Sequence, residues 1–270
     1  MGTPAHFPLI LILILSSVSA QTLIQMLPHR PQRTGDGDLF CDSWRLSVET
    51  NNAGPWMTIP AECVAFVEEY VNGDRYASDS AVVAGDSLAF ARTARIAGDG
   101  RDVWVFDIDE TLLSNVPYYA VNGYGSSYQI ALRISGIVWL VVSEVFNDTS
   151  FDEWVLKARA PALSASLQLY EELQGLGFQM ILLTGRAEAQ RNATEENLLF
   201  SGYHSWKRLI LREASDIGKT AVVYKSERRA ELEAQGYRIH GSSGDQWSDL
   251  LGSPMATRSF KLPNPLYHIP

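Results

Sequence analysis

Residues 103–113 read VWVFDIDETLL: four apolar side chains run into three carboxylates within four positions. Val103 to Phe106 is a short continuous apolar run, the pattern of a strand buried on both faces. Carboxylates at the end of such a strand repel one another and are costly to desolvate unless a cation or a reaction accounts for them. Asp107 and Asp109 stand two apart, so extended backbone turns them the same way. The rest of the chain is read outward from this junction.

Downstream, strands and helices alternate. Pro161 opens a helix (PALSASLQLYEELQGLG) that Gly175 and Gly177 close. Phe178 to Leu183 reads as a strand, Glu188 to Phe200 as a helix, Arg208 to Leu211 as a strand. Ser226 to Ala234 reads as a helix and Tyr237 to His240 as a last short strand. Such alternation predicts an α/β fold: a Rossmann-like parallel sheet with helices on both faces. Upstream, residues 21–60 read as an irregular arm anchored by Trp44 and Trp56, followed by helices from Pro60 and over Ser78 to Ile96. The expected division is a leader at 1–20, arm and helices at 21–99, a core at 100–252, and an irregular tail at 253–270. Residues 115–160 are too long for an ordinary strand-to-helix loop and are expected to form a small, mostly helical cap.

The 270 residues carry a formal net charge of -9, which repels phosphate backbones and argues against a nucleic-acid partner. The apolar run Leu9 to Leu15, followed by Val18, Ser19 and Ala20, has the form of a secretory signal cut after Ala20, too short to span a membrane. Secretory entry leads to the extracellular space or the vacuole. In that oxidising setting Cys41 and Cys63 read as a disulfide, against the alternative of two separately buried thiols. Asn147 and Asn192 head glycosylation triplets.

In a doubly wound sheet, ligands bind outside the carboxyl ends of the strands. Asp107 and Asp109 follow the first strand; Thr184, Gly185 and Arg186 follow the second; Asp245 and Asp249 follow the last. Thr184, Gly185 and Arg186 offer a hydroxyl, an unhindered backbone amide and a positive charge, which suits an anion. Carboxylates gathered at one sheet edge call for a cation, and hard oxygen donors suit magnesium, which also accepts phosphate oxygens. A carboxylate can itself act as nucleophile through an aspartyl-phosphate, with a second one moving protons.

DIDET, LLTGR, a lysine and GDQWSD, in that order, resemble the four signature motifs of the haloacid dehalogenase superfamily. CDSWRLSVETNN, YKSERRAELEAQGYRI and SGDQWSDLLG further resemble the plant class B acid phosphatases and vegetative storage proteins, from about Leu39 to the C-terminus. The resemblance implies a magnesium-dependent acid phosphatase acting on small phosphomonoesters. It implies Asp107 as nucleophile and metal ligand, and Asp109 as general acid/base whose backbone carbonyl also reaches the metal. It implies Thr184, with Gly185, as the phosphoryl contact and Asp245 as a metal ligand, Asp249 assisting. Lys225 and Lys219 compete for the role of the charge-neutralising lysine; Lys225 matches the K-S-x-R-R pattern. Thr111 and Asn115 are expected to stabilise the turn, and Arg186 to bind phosphate or brace its surroundings. His204 and His240 read as structural. The resemblance also implies a homodimer.

One stretch departs from the family pattern: Ser127 to Ser143, SYQIALRISGIVWLVVS, interrupts the segment between PYYAVNGYGS and FNDTSFDEW as an insertion without clear periodicity. A vegetative storage glycoprotein with little or no activity is the alternative reading. Its discriminator is position 107, where some storage members have lost the nucleophile and this chain keeps Asp.

Overall fold

The computed structural model describes residues 37–125, 129–134, 137–142 and 147–270. The leader expected at 1–20, and the start of the arm, lie outside the described residues. In chain order the elements are α1 (Gly37–Glu49), α2 (Val64–Asn72), α3 (Asp74–Ala91), β1 (Asp102–Phe106), α4 (Val116–Val121), β2 (Gln129–Ile134) and β3 (Ile137–Val142). There follow α5 (Asp148–Leu156), α6 (Ser164–Gly175), β4 (Gln179–Ala187), α7 (Arg191–Phe200), β5 (Arg208–Arg212) and α8 (Ala221–Ala234). The chain ends with β6 (Arg238–Gly244), α9 (Trp247–Leu250) and β7 (Arg258–Lys261).

Five strands form one sheet in the order β5-β4-β1-β6-β7, every pairing parallel. The expected α/β sheet is therefore present, with β1 at its centre. Strand alternation sorts β1 onto two cores. Trp104 and Phe106 join Leu169, Tyr170, Leu173, Phe178, Met180 and Leu182 in one cluster, whereas Val103 and Val105 join Ile181, Leu183, Tyr224, Leu232 and Ile239 in another. A helical layer packs on each face, and burial of both faces explains why β1 shows no polar alternation. At Gly241 a Cβ would lie 2.5 Å from the Trp104 ring, so only glycine admits that indole against β6.

Four readings need correction. The arm expected to be irregular contains α1, because Cys41, Trp44 and Val48 recur at helical spacing and turn inward: Cys41 and Val48 are buried and Trp44 packs on the cluster that contains Cys41. The tail expected to be irregular contains β7, and β6 runs on to Gly244 rather than ending at His240. Neither RIHGSSG nor RSFK carries an apolar run. They are strands because β6 is held between β1 and β7 by ladder hydrogen bonds that local propensity does not reveal. Finally, the insertion read as lacking periodicity contains the antiparallel hairpin β2–β3, in a sheet of its own. A continuous apolar run does not by itself separate strand from helix.

The Cys41–Cys63 disulfide forms and ties α1 to the start of α2. Trp44 and Trp56 pack edge to face at 5.3 Å between ring centroids, as the anchors expected of them. Together with Tyr70, Tyr118, Tyr119 and Leu266 they build a third cluster, which joins the N-terminal helices to α4 and the tail. Among the described residues, no helix is long and apolar enough to cross a membrane.

Candidate active site

β1 delivers Asp107 to the carboxyl edge of the sheet, where its backbone amide still donates to Ser243 O of β6 at 3.0 Å. Beyond it the chain turns tightly, and Glu110 takes a positive φ of 52°. Thr184 and Gly185 lie at the corresponding end of β4, Thr184 fully buried and Gly185 exposed. Asp245 and Asp249 follow β6, the second on α9. Gly244 makes that last turn possible: a Cβ there would meet the Asp249 side chain at 2.5 Å.

Asp107, Asp245 and Asp249 are all buried, and one ligand oxygen from each falls within 4.8 Å of the others, a grouping able to hold a metal ion. Lys225, near the start of α8, is also buried; its Nζ donates to Asp107 Oδ1 at 2.5 Å and to Asp249 Oδ1. Burial, reinforced by Asp249 and Asp245, pushes the Asp107 carboxyl well above its ordinary range against the pull of Lys225. Burial disfavours charge on Lys225 too, but Asp107 and Asp249 more than offset it and hold the ammonium charged. Burial and the nearby Asp249 raise Asp245 to about 6. Lys219, the competing lysine, pairs with Asp216 at 2.9 Å and Glu227 at 2.6 Å, away from this cluster.

Asp109 meets a different environment. Arg186 grips its carboxylate through NH2 at 2.7 Å and Nε at 3.0 Å, and Asn115 Nδ2 adds a third donor at 2.8 Å. Burial opposes ionisation, but Arg186 outweighs it and leaves this carboxyl below its usual range. The two aspartates of DIDET are thus driven apart, one up and one down, by environment alone. Arg186 braces Asp109 in place and also donates to Thr194 Oγ1 at 3.2 Å. Trp154 of α5 donates to Asn115 Oδ1 at 2.8 Å, linking the segment between β1 and β4 to this cluster.

The third acid of the opening motif received no role from the sequence. Glu110 is fully buried, accepts from Asn115 N at 2.5 Å, Asn115 Nδ2 at 3.1 Å and Tyr267 OH at 2.6 Å. Burial, with the charge of Asp109 behind it, raises it to about 8. Thr111, expected only to stabilise its turn, donates to Asp245 Oδ1 at 3.1 Å. Gln246 and Asn264 donate to Asp245 Oδ2 at 2.8 and 2.6 Å. Neither amide was singled out from the sequence, since nothing local ties PNPLY to SGDQ. The His240 ring bonds Asp102 through Nε2 at 2.8 Å, a structural contact as read, and the backbone O of His204 accepts from Tyr170 OH at 2.9 Å. Asn147 caps α5, accepting from Ser150 N, and is exposed; Asn192 is exposed on α7.

Residues 26–270 match the family of the HAD superfamily, subfamily IIIB (acid phosphatase). Acid phosphatase 1 of Solanum lycopersicum is 50% identical over 94% of this chain and 92% of its own length. Vegetative storage protein 1 of Arabidopsis thaliana is 36% identical over 94% of this chain and 92% of its own. The class C acid phosphatase of Bacillus anthracis shares the fold, with a TM-score of 0.59 at 20% identity, covering 76% of this chain and 85% of that one.

Proposed function

Since this chain belongs to the acid phosphatase subfamily IIIB of the HAD superfamily, we propose that it hydrolyses small phosphomonoesters through an aspartyl-phosphate on Asp107, with a divalent cation at the carboxyl edge of the sheet. The observation that carries this reading is the grouping of buried Asp107, Asp245 and Asp249 around the Lys225 ammonium. The donors fit a small hard dication. They are all carboxylate oxygens, they come from two separate segments of chain, and they hold more negative charge than one ammonium balances. Asp107, Asp245 and the Asp109 backbone carbonyl are the candidates to hold it, with Asp249 assisting. When bound, such a cation supplies charge neutralisation for the phosphoryl oxygens.

An Asp107 oxygen attacks phosphorus, forming a new O–P bond as the bond to the ester oxygen breaks. Asp109 gives its proton to the departing alkoxide, so the alcohol leaves neutral. The now ionised Asp109 then takes a proton from water, whose oxygen attacks phosphorus and breaks the O–P bond to Asp107; inorganic phosphate leaves and both aspartates are restored. Thr184, Gly185 and Lys225 face the transferring phosphoryl group. Arg186 and Asn115 fix the Asp109 carboxylate and stabilise its charged form, the form that takes the proton from water.

The disulfide and the plant relatives support entry into the secretory pathway. The test of the function is hydrolysis of an aryl phosphate by purified protein, with magnesium or with chelator, beside Asp107→Asn. Magnesium-dependent turnover that the substitution abolishes is the expected result. Folded wild type as inert as the variant would instead favour a storage role like that named for the Arabidopsis relative.

A further inference from the structure

The C-terminal tail reaches back into the carboxylate cluster, and none of the family motifs accounts for it. Asn264 is only 2% exposed, and each of its polar groups on this face is committed. Its Nδ2 donates to Asp245 Oδ2 at 2.6 Å, its Oδ1 accepts from Leu266 N at 2.8 Å, and its backbone N donates to Glu49 Oε1 at 2.9 Å. Glu49, at the end of α1, takes Lys261 Nζ on its other oxygen at 2.7 Å, and its backbone carbonyl accepts from Trp247 Nε1 at 3.2 Å.

We infer that Asn264, pinned by Glu49, is a positioning residue for Asp245: it fixes the orientation in which that carboxylate receives the divalent cation. The inference rests on the metal reading given above. Its physical content lies in the kind of donor used. Asp245 is oriented by neutral groups, the amides of Asn264 and Gln246 and the hydroxyl of Thr111. An amide fixes a carboxylate rotamer without neutralising it, whereas a lysine or arginine in the same place would compete with the cation. Gln246 adjoins Asp245 in the chain and moves with it. Asn264 lies beyond β7 and is held by α1, so it ties Asp245 to backbone fixed from elsewhere in the molecule. The disulfide that secures α1 is the outer end of the same support.

The experiment is calorimetric titration of magnesium into chelator-stripped full chain: wild type, Asn264→Ala, Asn264→Asp and, as control, Asp245→Asn. Loss of an orienting partner typically weakens metal binding about 10–100-fold, and Asn264→Ala is expected within that range. Asn264→Asp keeps the side-chain size and the acceptor for Leu266 N but sets a carboxylate against Asp245, so it is expected to bind at least as weakly. It decides the matter if the alanine variant does not fold. Activity of either variant should return when magnesium is raised, with kcat at saturating magnesium near that of wild type; a merely structural defect would not be rescued. Wild-type affinity retained in both variants would overturn the inference and leave the metal reading standing. Absence of magnesium binding by the wild type would overturn both.

Discussion

Lys225 Nζ lies 2.5 Å from Asp107 Oδ1 although the two residues are 118 positions apart in the chain. The same ammonium reaches Asp249, so one buried cation holds carboxylates from two further segments. It stands where like charges would otherwise repel.

Replacing Lys225 by Met should therefore destabilise the metal-free protein strongly. Removing one partner of a buried ion pair leaves an uncompensated charge, at about 3–5 kcal/mol. A divalent cation would restore part of the balance. Denaturant unfolding with chelator and with magnesium checks this: the deficit should shrink with magnesium, and an equal deficit in both would exclude a cation at Asp107 and Asp249.

Asp107→Asn is isosteric and keeps an oxygen for Lys225. Turnover of an aryl phosphate should fall by about 10³-fold or more, as for other lost nucleophiles, with thermal stability retained. Activity near wild type would remove Asp107 from the nucleophile's role.

The Cys41–Cys63 disulfide closes a separation of 22 residues. Loop-closure entropy gives about 3 kcal/mol for such a loop, and the paired Cys41→Ser, Cys63→Ser variant should unfold at correspondingly lower denaturant. An unchanged midpoint would show that α1 is held by packing alone.

Asp102 governs one part of the acid stability. Arg238 donates to it at 2.7 and 3.0 Å, and His240 Nε2 and Ala97 N bond it at 2.8 and 2.7 Å. The hydrogen bonds from Arg238, against the opposing effect of burial, hold its carboxyl far below the ordinary range. A depressed folded-state value stabilises the fold above the unfolded-state pKa, about 3.9. That contribution fades as pH falls below about 4 towards the folded-state value. Unfolding measured from pH 6 downward should show the loss, and Asp102→Asn should flatten that slope; an unaltered slope would assign the acid sensitivity elsewhere.

Deleting residues 127–143 removes the hairpin β2–β3, which shares no strand with the five-stranded sheet. Soluble yield and a cooperative thermal transition should survive. Insoluble product would mean that the hairpin supports the core.

Much of this was readable in order along the chain. VWVF announced a doubly buried strand, and the alternation after Gly177 announced a parallel sheet, because apolar periodicity reports burial directly. DIDET, LLTGR and GDQWSD put the carboxylates and Thr184 at strand ends, which is where that topology gathers ligands. Lys225 over Lys219 followed from its pattern, and burial beside Asp107 now separates the two. β7 escaped notice because its only strong apolar residue is Phe260, and its strand character comes from pairing with β6.

What sequence alone determined was the fold class and the identity of the acids, since both are written in local pattern: runs of apolar residues and charged residues at their ends. Only the tertiary structure decided how those acids differ. Asp109 became an ion-paired carboxylate through Arg186, Asp107 a buried one through Lys225, and Asp245 an oriented one through Asn264. Each partner arrives from a distant segment, and burial and neighbouring charge, which set a carboxyl group's proton affinity, exist only once the chain has closed around it.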